Sequence, residues 1–145
     1  MMKRALVHVC LLAVVTVALA ACSVAAAQPS SVEVTCDEFS KQSQPARVGR
    51  NLSLPAGQTF TLTLCSNQTT GFQWEEPKVS DAAVLQSVDH KFQEPSGNLV
   101  GAAGKEIWTF KGLKKGQATV SVDYSRPWQG GEKGVWQFNL TVDVS

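Results

Sequence analysis

Few side chains in this 145-residue sequence could carry chemistry, and their spacing argues against most of it. Of the two histidines, His8 sits in an apolar leader, which leaves His90 in "SVDHKF". No Cys or second His lies near it in sequence, and structural metal sites need several such ligands, so no metal is expected. A Cys–His nucleophile pair would require Cys36 or Cys65 to be reduced and beside His90 in space. The acidic neighbours Asp37-Glu38 and Glu75-Glu76 would point to opposite faces of a strand. They are expected to be solvated carboxylates rather than a general acid/base dyad. No Gly-x-Ser-x-Gly, phosphate-binding Gly loop or dinucleotide fingerprint occurs. The expectation is a protein that is not an enzyme and uses no cofactor.

Residue types suited to binding are concentrated in three short stretches. "SNQTTGFQW" places two threonines and a glycine after the strand-like run "QTFTLTLC". A turn needs Gly71; it does not need Thr69 and Thr70. "NLVGAAG" offers Gly101, Ala102, Ala103 and Gly104, small residues that let another backbone approach closely. "YSRPWQGGEKG" carries Arg126-Pro127-Trp128, and Arg and Trp are the side chains that most often anchor protein interfaces. The alternative for Trp128 is that it folds back onto the edge of the fold, with Arg126 stacked upon it.

The elements that must position these loops follow from a period of two. Phe60, Leu62 and Leu64 alternate with Thr59, Thr61 and Thr63; Ala118, Val120, Val122 and Tyr124 alternate with Thr119, Ser121 and Asp123. Trp136, Phe138, Leu140, Val142 and Val144 form the longest apolar face. Weaker runs lie at 31–36, 72–76, 84–92 and 105–111. Between the runs stand turn signals such as "LPAGQ", "PSGN", "LKKGQ" and "QGGEKG". Half-buried alternating strands separated by Gly/Pro turns predict an all-β, immunoglobulin-like antiparallel β-sandwich of about seven or eight strands. No helix of a dozen residues is expected, and Trp74 is a candidate for the centre of the sandwich.

Residues 1–21 read as a signal peptide, with Lys3 and Arg4 before an apolar run and small residues after it. "LAAC" resembles a bacterial lipobox, which would cut before Cys22 and lipidate it; the alternative is an ordinary cut near 27/28. Residues 22–30 then form a flexible linker and 31–145 a single domain. Localisation is expected in the cell envelope as a lipoprotein, or periplasmic or extracellular if the cut falls near residue 27. Membrane contact is expected only through the lipid. Lys3 and Arg4 account for two of 13 Lys+Arg, leaving 11 against 12 Asp+Glu and a formal charge of −1. No basic block survives, which argues against nucleic acid as a partner. With Cys10 and Cys22 in the export region, Cys36 and Cys65 remain. In an exported protein they suggest one disulfide, against the alternative of two buried thiols. Closing a loop of about 30 residues would be worth roughly 3–4 kcal/mol.

Taken together, the three loops resemble the chagasin family of cysteine protease inhibitors. That family carries an Asn-Pro-Thr-Thr-Gly-aromatic loop, a Gly-rich loop and an Arg-Pro-aromatic loop, in that order, on an immunoglobulin-like sandwich. Asn67-Gln68-Thr69-Thr70-Gly71-Phe72 matches the first, Gly101-Ala102-Ala103-Gly104 the second and Arg126-Pro127-Trp128 the third. The resemblance covers about Leu52 to Val144. It implies a monomeric, reversible inhibitor of papain-like cysteine proteases. Thr69-Thr70-Gly71 would enter the cleft and the other two loops would grip its sides. The rival expectation is an exported adhesion or carbohydrate-binding module of the same fold. Gln68 departs from the family's Pro, which removes one fixed φ. A Cys36–Cys65 bridge just before the loop is the expected substitute brace.

Overall fold

The computed structural model describes residues 30–97 and 100–145, so the leader, its cleavage sites and Cys22 lie outside the described residues. The strands are β1 (Ser30–Val34), β2 (Ala46–Leu54), β3 (Thr59–Ser66), β4 (Gln73–Trp74) and β5 (Lys78–Val79). They continue as β6 (Leu85–Gln93), β7 (Gly104–Gly112), β8 (Gly116–Ser125) and β9 (Trp136–Val144). One short helix, α1 (Cys36–Ser40), follows β1. One sheet has the order β1-β3-β7-β6; the other runs β2-β9-β8-β4, with β5 also paired to β8.

The alternation in the sequence is the alternation of burial. Phe60, Leu62 and Leu64 on β3 are fully buried, and so are Val120, Phe138, Leu140 and Val142 on the opposing sheet. Each contributes roughly 1.5–3 kcal/mol relative to an exposed position. Phe60 stacks on Phe110 of β7 with centroids 5.3 Å apart. Near one end, Trp74, Tyr124, Trp136 and Phe39 form an aromatic cluster with neighbouring centroids 4.8–5.4 Å apart. Trp74 is buried, as expected, but near the end of the sandwich and not at its centre, because β4 pairs only with the last residues of β8; its indole N–H donates to the Cys65 carbonyl at 2.9 Å.

The sandwich departs from a purely antiparallel arrangement at its N-terminal segment. β1 pairs in parallel with β3, and β2 in parallel with β9. The chain between them crosses from one sheet to the other through α1. The Glu38 carboxylate receives the Thr35 N–H at the start of that helix. Its apolar anchor is Phe39, which is fully buried and stacked on Trp136. The run 31–36 therefore ends as a strand at Val34, because Cys36 already opens the helix. In β6, a register shift between Ser87 and Asp89 leaves Val88 49% exposed, although it belongs to an alternating run.

Candidate functional site

Topology brings the three loops to one end of the sandwich. Ser66 at the end of β3 pairs with Gly104 at the start of β7. Lys105 of β7 in turn pairs with Gln93, the last residue of β6. Ser125 at the end of β8 pairs with Gln73. The β3–β4, β6–β7 and β8–β9 connections consequently emerge together.

The first loop is a one-turn 3-10 helix, Gln68–Thr70, capped at both ends. Asn67 is its N-cap: Oδ1 accepts the Thr69 N–H at 3.3 Å and the Thr69 hydroxyl at 2.6 Å. The Thr70 hydroxyl donates to the Asn67 carbonyl at 2.7 Å. Both threonines are exposed at the tip, and their hydroxyl hydrogens are engaged within the loop. Gly71 closes the turn at φ 79°, a left-handed conformation that costs other residues about 1–2 kcal/mol.

Side chains from the body of the domain hold this loop. The Tyr124 hydroxyl accepts the Asn67 N–H at 2.9 Å. Burial pushes the Tyr124 phenol above its ordinary range, so the hydroxyl remains neutral through physiological pH. Phe72 stacks on Tyr124 at 5.6 Å. The Gln68 amide donates to the Glu106 carboxylate at 3.2 Å.

The loops are also tied to one another. Asn67 Nδ2 donates to the Gly101 carbonyl at 3.0 Å, joining the first loop to the second. The Trp128 indole covers Gly71 so closely that a Cβ there would lie 2.8 Å from the ring. The Arg126 guanidinium lies 4.4 Å from the Phe72 centroid and 5.8 Å from that of Trp128, and it pairs with Glu132 at 2.9 Å. Within the third loop, the Gly131 N–H donates to the Trp128 carbonyl at 3.1 Å, and Lys133 Nζ donates to the Arg126 carbonyl. Trp128 is nevertheless 52% exposed. It leans on the first loop without being absorbed by the sandwich edge.

One of the expected loop residues is not in a loop. Gly104 is buried in β7, where a Cβ would meet the Gln93 carbonyl at 2.5 Å and the Phe92 ring at 2.6 Å. Its role is to let β6 and β7 close, while Gly101, Ala102 and Ala103 form the loop proper. The residues that sequence reasoning passed over are Glu106 and Tyr124. Both are in phase with buried neighbours on their strands, and a charge in phase with Trp108 and Phe110 was the available signal. Among the described residues no three His, Cys, Asp or Glu side chains gather into a metal-binding group.

Gly71→Ala tests the tie between first and third loops. The added methyl meets both an unfavourable φ and the Trp128 ring, so any binding by this end should weaken roughly 10- to 100-fold. Cooperative unfolding should persist, with a stability loss of about 1–2 kcal/mol. A binding titration beside a thermal melt reads both.

The fold is an immunoglobulin-like sandwich with three mutually braced loops at one end. Residues 53–142 match the chagasin family peptidase inhibitor I42, and the chain belongs to that family; it is a peptidase inhibitor and not an enzyme. It is 33% identical to chagasin of Trypanosoma cruzi over 88 residues, covering 59% of this chain and 80% of chagasin. Two solved structures share the fold. The cysteine protease inhibitor EhICP2 from Entamoeba histolytica superimposes with a TM-score of 0.60 at 21% identity, over 80% of this chain and 96% of that one. PbICP-C, solved in complex with falcipain-2, gives 0.62 at 18% identity, over 80% and 99%.

Proposed function

We propose that this protein inhibits papain-like cysteine proteases reversibly, by placing the Thr69-Thr70-Gly71 tip in the active-site cleft. Gly101–Ala103 and Arg126–Trp128 then contact the two sides of the cleft. The observation that carries this reading is the mutual bracing of the three loops. Asn67 holds Gly101 and Trp128 covers Gly71, so the surface is formed before any partner arrives. Preorganised loops lose less entropy on docking, and that saving appears as affinity. No covalent step is required. The tip excludes substrate from the cleft, and Thr69 and Thr70 lose little side-chain entropy because β-branching already restricts them.

Membership of an inhibitor family disfavours the adhesion or carbohydrate-binding reading. We further propose export with lipidation at Cys22, supported by "LAAC" directly after the apolar run, and action as a monomer. Mass spectrometry of the mature N-terminus distinguishes a lipidated Cys22 from a cut near residue 27.

Titration of the mature protein into papain with a fluorogenic substrate tests the inhibitory reading. Inhibition at or below micromolar protein, with activity recovered on dilution, is expected. Unchanged papain activity at micromolar protein would overturn it.

A further inference from the structure

Beneath the first loop lies a hydrogen-bonded set that a three-loop wedge does not by itself require. Glu106 on β7 shares the inward face with Trp108 and Phe110, and its side chain is only 6% exposed. Burying a carboxylate costs several kcal/mol unless its oxygens are partnered. Here both are. Oε1 accepts from Gln68 Nε2 at 3.2 Å, and Oε2 faces His90 Nε2 at 2.6 Å. The His90 ring lies flat on Trp108, with centroids 4.8 Å apart and planes within 7°. β6, β7 and the tip of the wedge thus meet at one buried acid.

Gln68 is also the position at which this chain departs from the Asn-Pro-Thr-Thr-Gly pattern. It is the first residue of the 3-10 turn, where proline is favoured because the N–H has no partner within the turn and the ring presets φ. Asn67 before it is non-helical, at φ −114° and ψ 87°. It thus avoids the helical region that proline disfavours in the residue before it. The first position of the turn can admit proline, while the residue present is a glutamine whose side chain reaches back to Glu106.

We propose that Glu106 is a positioning residue for the inhibitory loop. It clamps the Gln68 side chain, with His90 and Trp108 fixing the acid, and so supplies through a hydrogen bond the constraint that proline would supply through its ring. The proposal rests on the reading of this loop as the inhibitory one. It assigns the brace to Glu106 rather than to the disulfide.

The test is a double-mutant cycle read in two ways: the inhibition constant against papain, and amide hydrogen exchange at Thr70 and Gly71 in the free protein. Those amides donate to the Asn67 and Gln68 carbonyls and report the 3-10 turn. With Gln at 68, Glu106→Ala should raise the inhibition constant roughly 10- to 30-fold and speed exchange at both amides by a similar factor. Gln68→Ala removes the same bond from the exposed side and should match it, which covers the case of Glu106→Ala failing to fold. Glu106→Gln, still able to accept from Gln68, should recover most of the loss. In a Gln68→Pro background, Glu106→Ala should change inhibition less than about threefold, because the two devices then duplicate one constraint. Equal losses in both backgrounds would mean a role in general stability and would overturn the proposal. Failure of the wild type to inhibit papain refutes the inhibitory reading. The clamp is then still decided by exchange, and unchanged exchange in both Gln68→Ala and Glu106→Ala refutes it.

Discussion

Trp128→Ala should weaken inhibition of papain by roughly 30- to 1,000-fold, a loss of about 2–4 kcal/mol of the kind found at interface hot spots. The free protein should lose no more than about 1 kcal/mol of stability. The asymmetry comes from where the indole is. At 52% exposed, it contributes modestly to the fold and still has much of its area to bury on a partner. An aromatic ring of this type can bury on the order of 150–250 Å² in all. It is also held before docking, by its seat over Gly71 and by the bond from Gly131 N–H to its own carbonyl. Little side-chain entropy therefore remains to be lost when the complex forms. A paired Thr69→Ala/Thr70→Ala change should act in the same direction with a smaller effect, about tenfold, because each hydroxyl hydrogen is already engaged with Asn67. Inhibition constants beside thermal melts separate binding from folding. If Trp128→Ala bound papain as tightly as the wild type, the third loop would have been wrongly assigned to the contact surface.

The first and third loops could be located in the sequence because each follows a strand of strict period two. Phe60-Leu62-Leu64 and Val120-Val122-Tyr124 show where the chain turns, and the motifs stand directly after them, whereas the second loop follows β6, whose alternation breaks at Val88. β2 was harder to see, since Gly49-Arg50-Asn51 interrupts its alternation with three exposed residues. Its parallel pairing with β9 is invisible to any pattern, because alternation is the same whichever way the neighbour runs. The helix α1 is too short to show a helical period. Besides its cap at Thr35 and Glu38 it depends on a tertiary contact, Phe39 against Trp136, since so short a helix is not stable alone. The ties that make three loops one site were beyond sequence reading for a related reason. Asn67 to Gly101, Tyr124 to Asn67 and Gln68 to Glu106 each join residues more than 30 positions apart. Glu106 was the exception in principle. A charge in phase with Trp108 and Phe110 on a buried face must have partners, and those partners identify the loop it serves.

The largest stability effect is expected at the bridge between Cys36 and Cys65, whose Cα atoms lie 5.2 Å apart at a sequence separation of 29. Replacing both by serine restores the entropy of that loop to the unfolded chain, worth roughly 3–4 kcal/mol. A domain of this size has only about 5–15 kcal/mol in total, so the melting temperature should fall by roughly 10–20 °C. Inhibition at 25 °C should change much less, by under about threefold. The reason lies in how many other groups hold the segment just before the loop. Cys65 and Ser66 are paired with Lys105 and Gly104 across the ladder, Trp74 holds the Cys65 carbonyl, and Tyr124 and Glu106 hold the next two residues of consequence, Asn67 and Gln68. The bridge ties α1 to β3, and without it the N-terminal segment still has the β1–β3 ladder and the buried Phe39 to hold it. Circular dichroism would establish that the serine variant remains folded, and its inhibition constant then decides. A rise of tenfold or more in a folded protein would make the disulfide the brace of the wedge, in place of the hydrogen bond from Gln68 to Glu106.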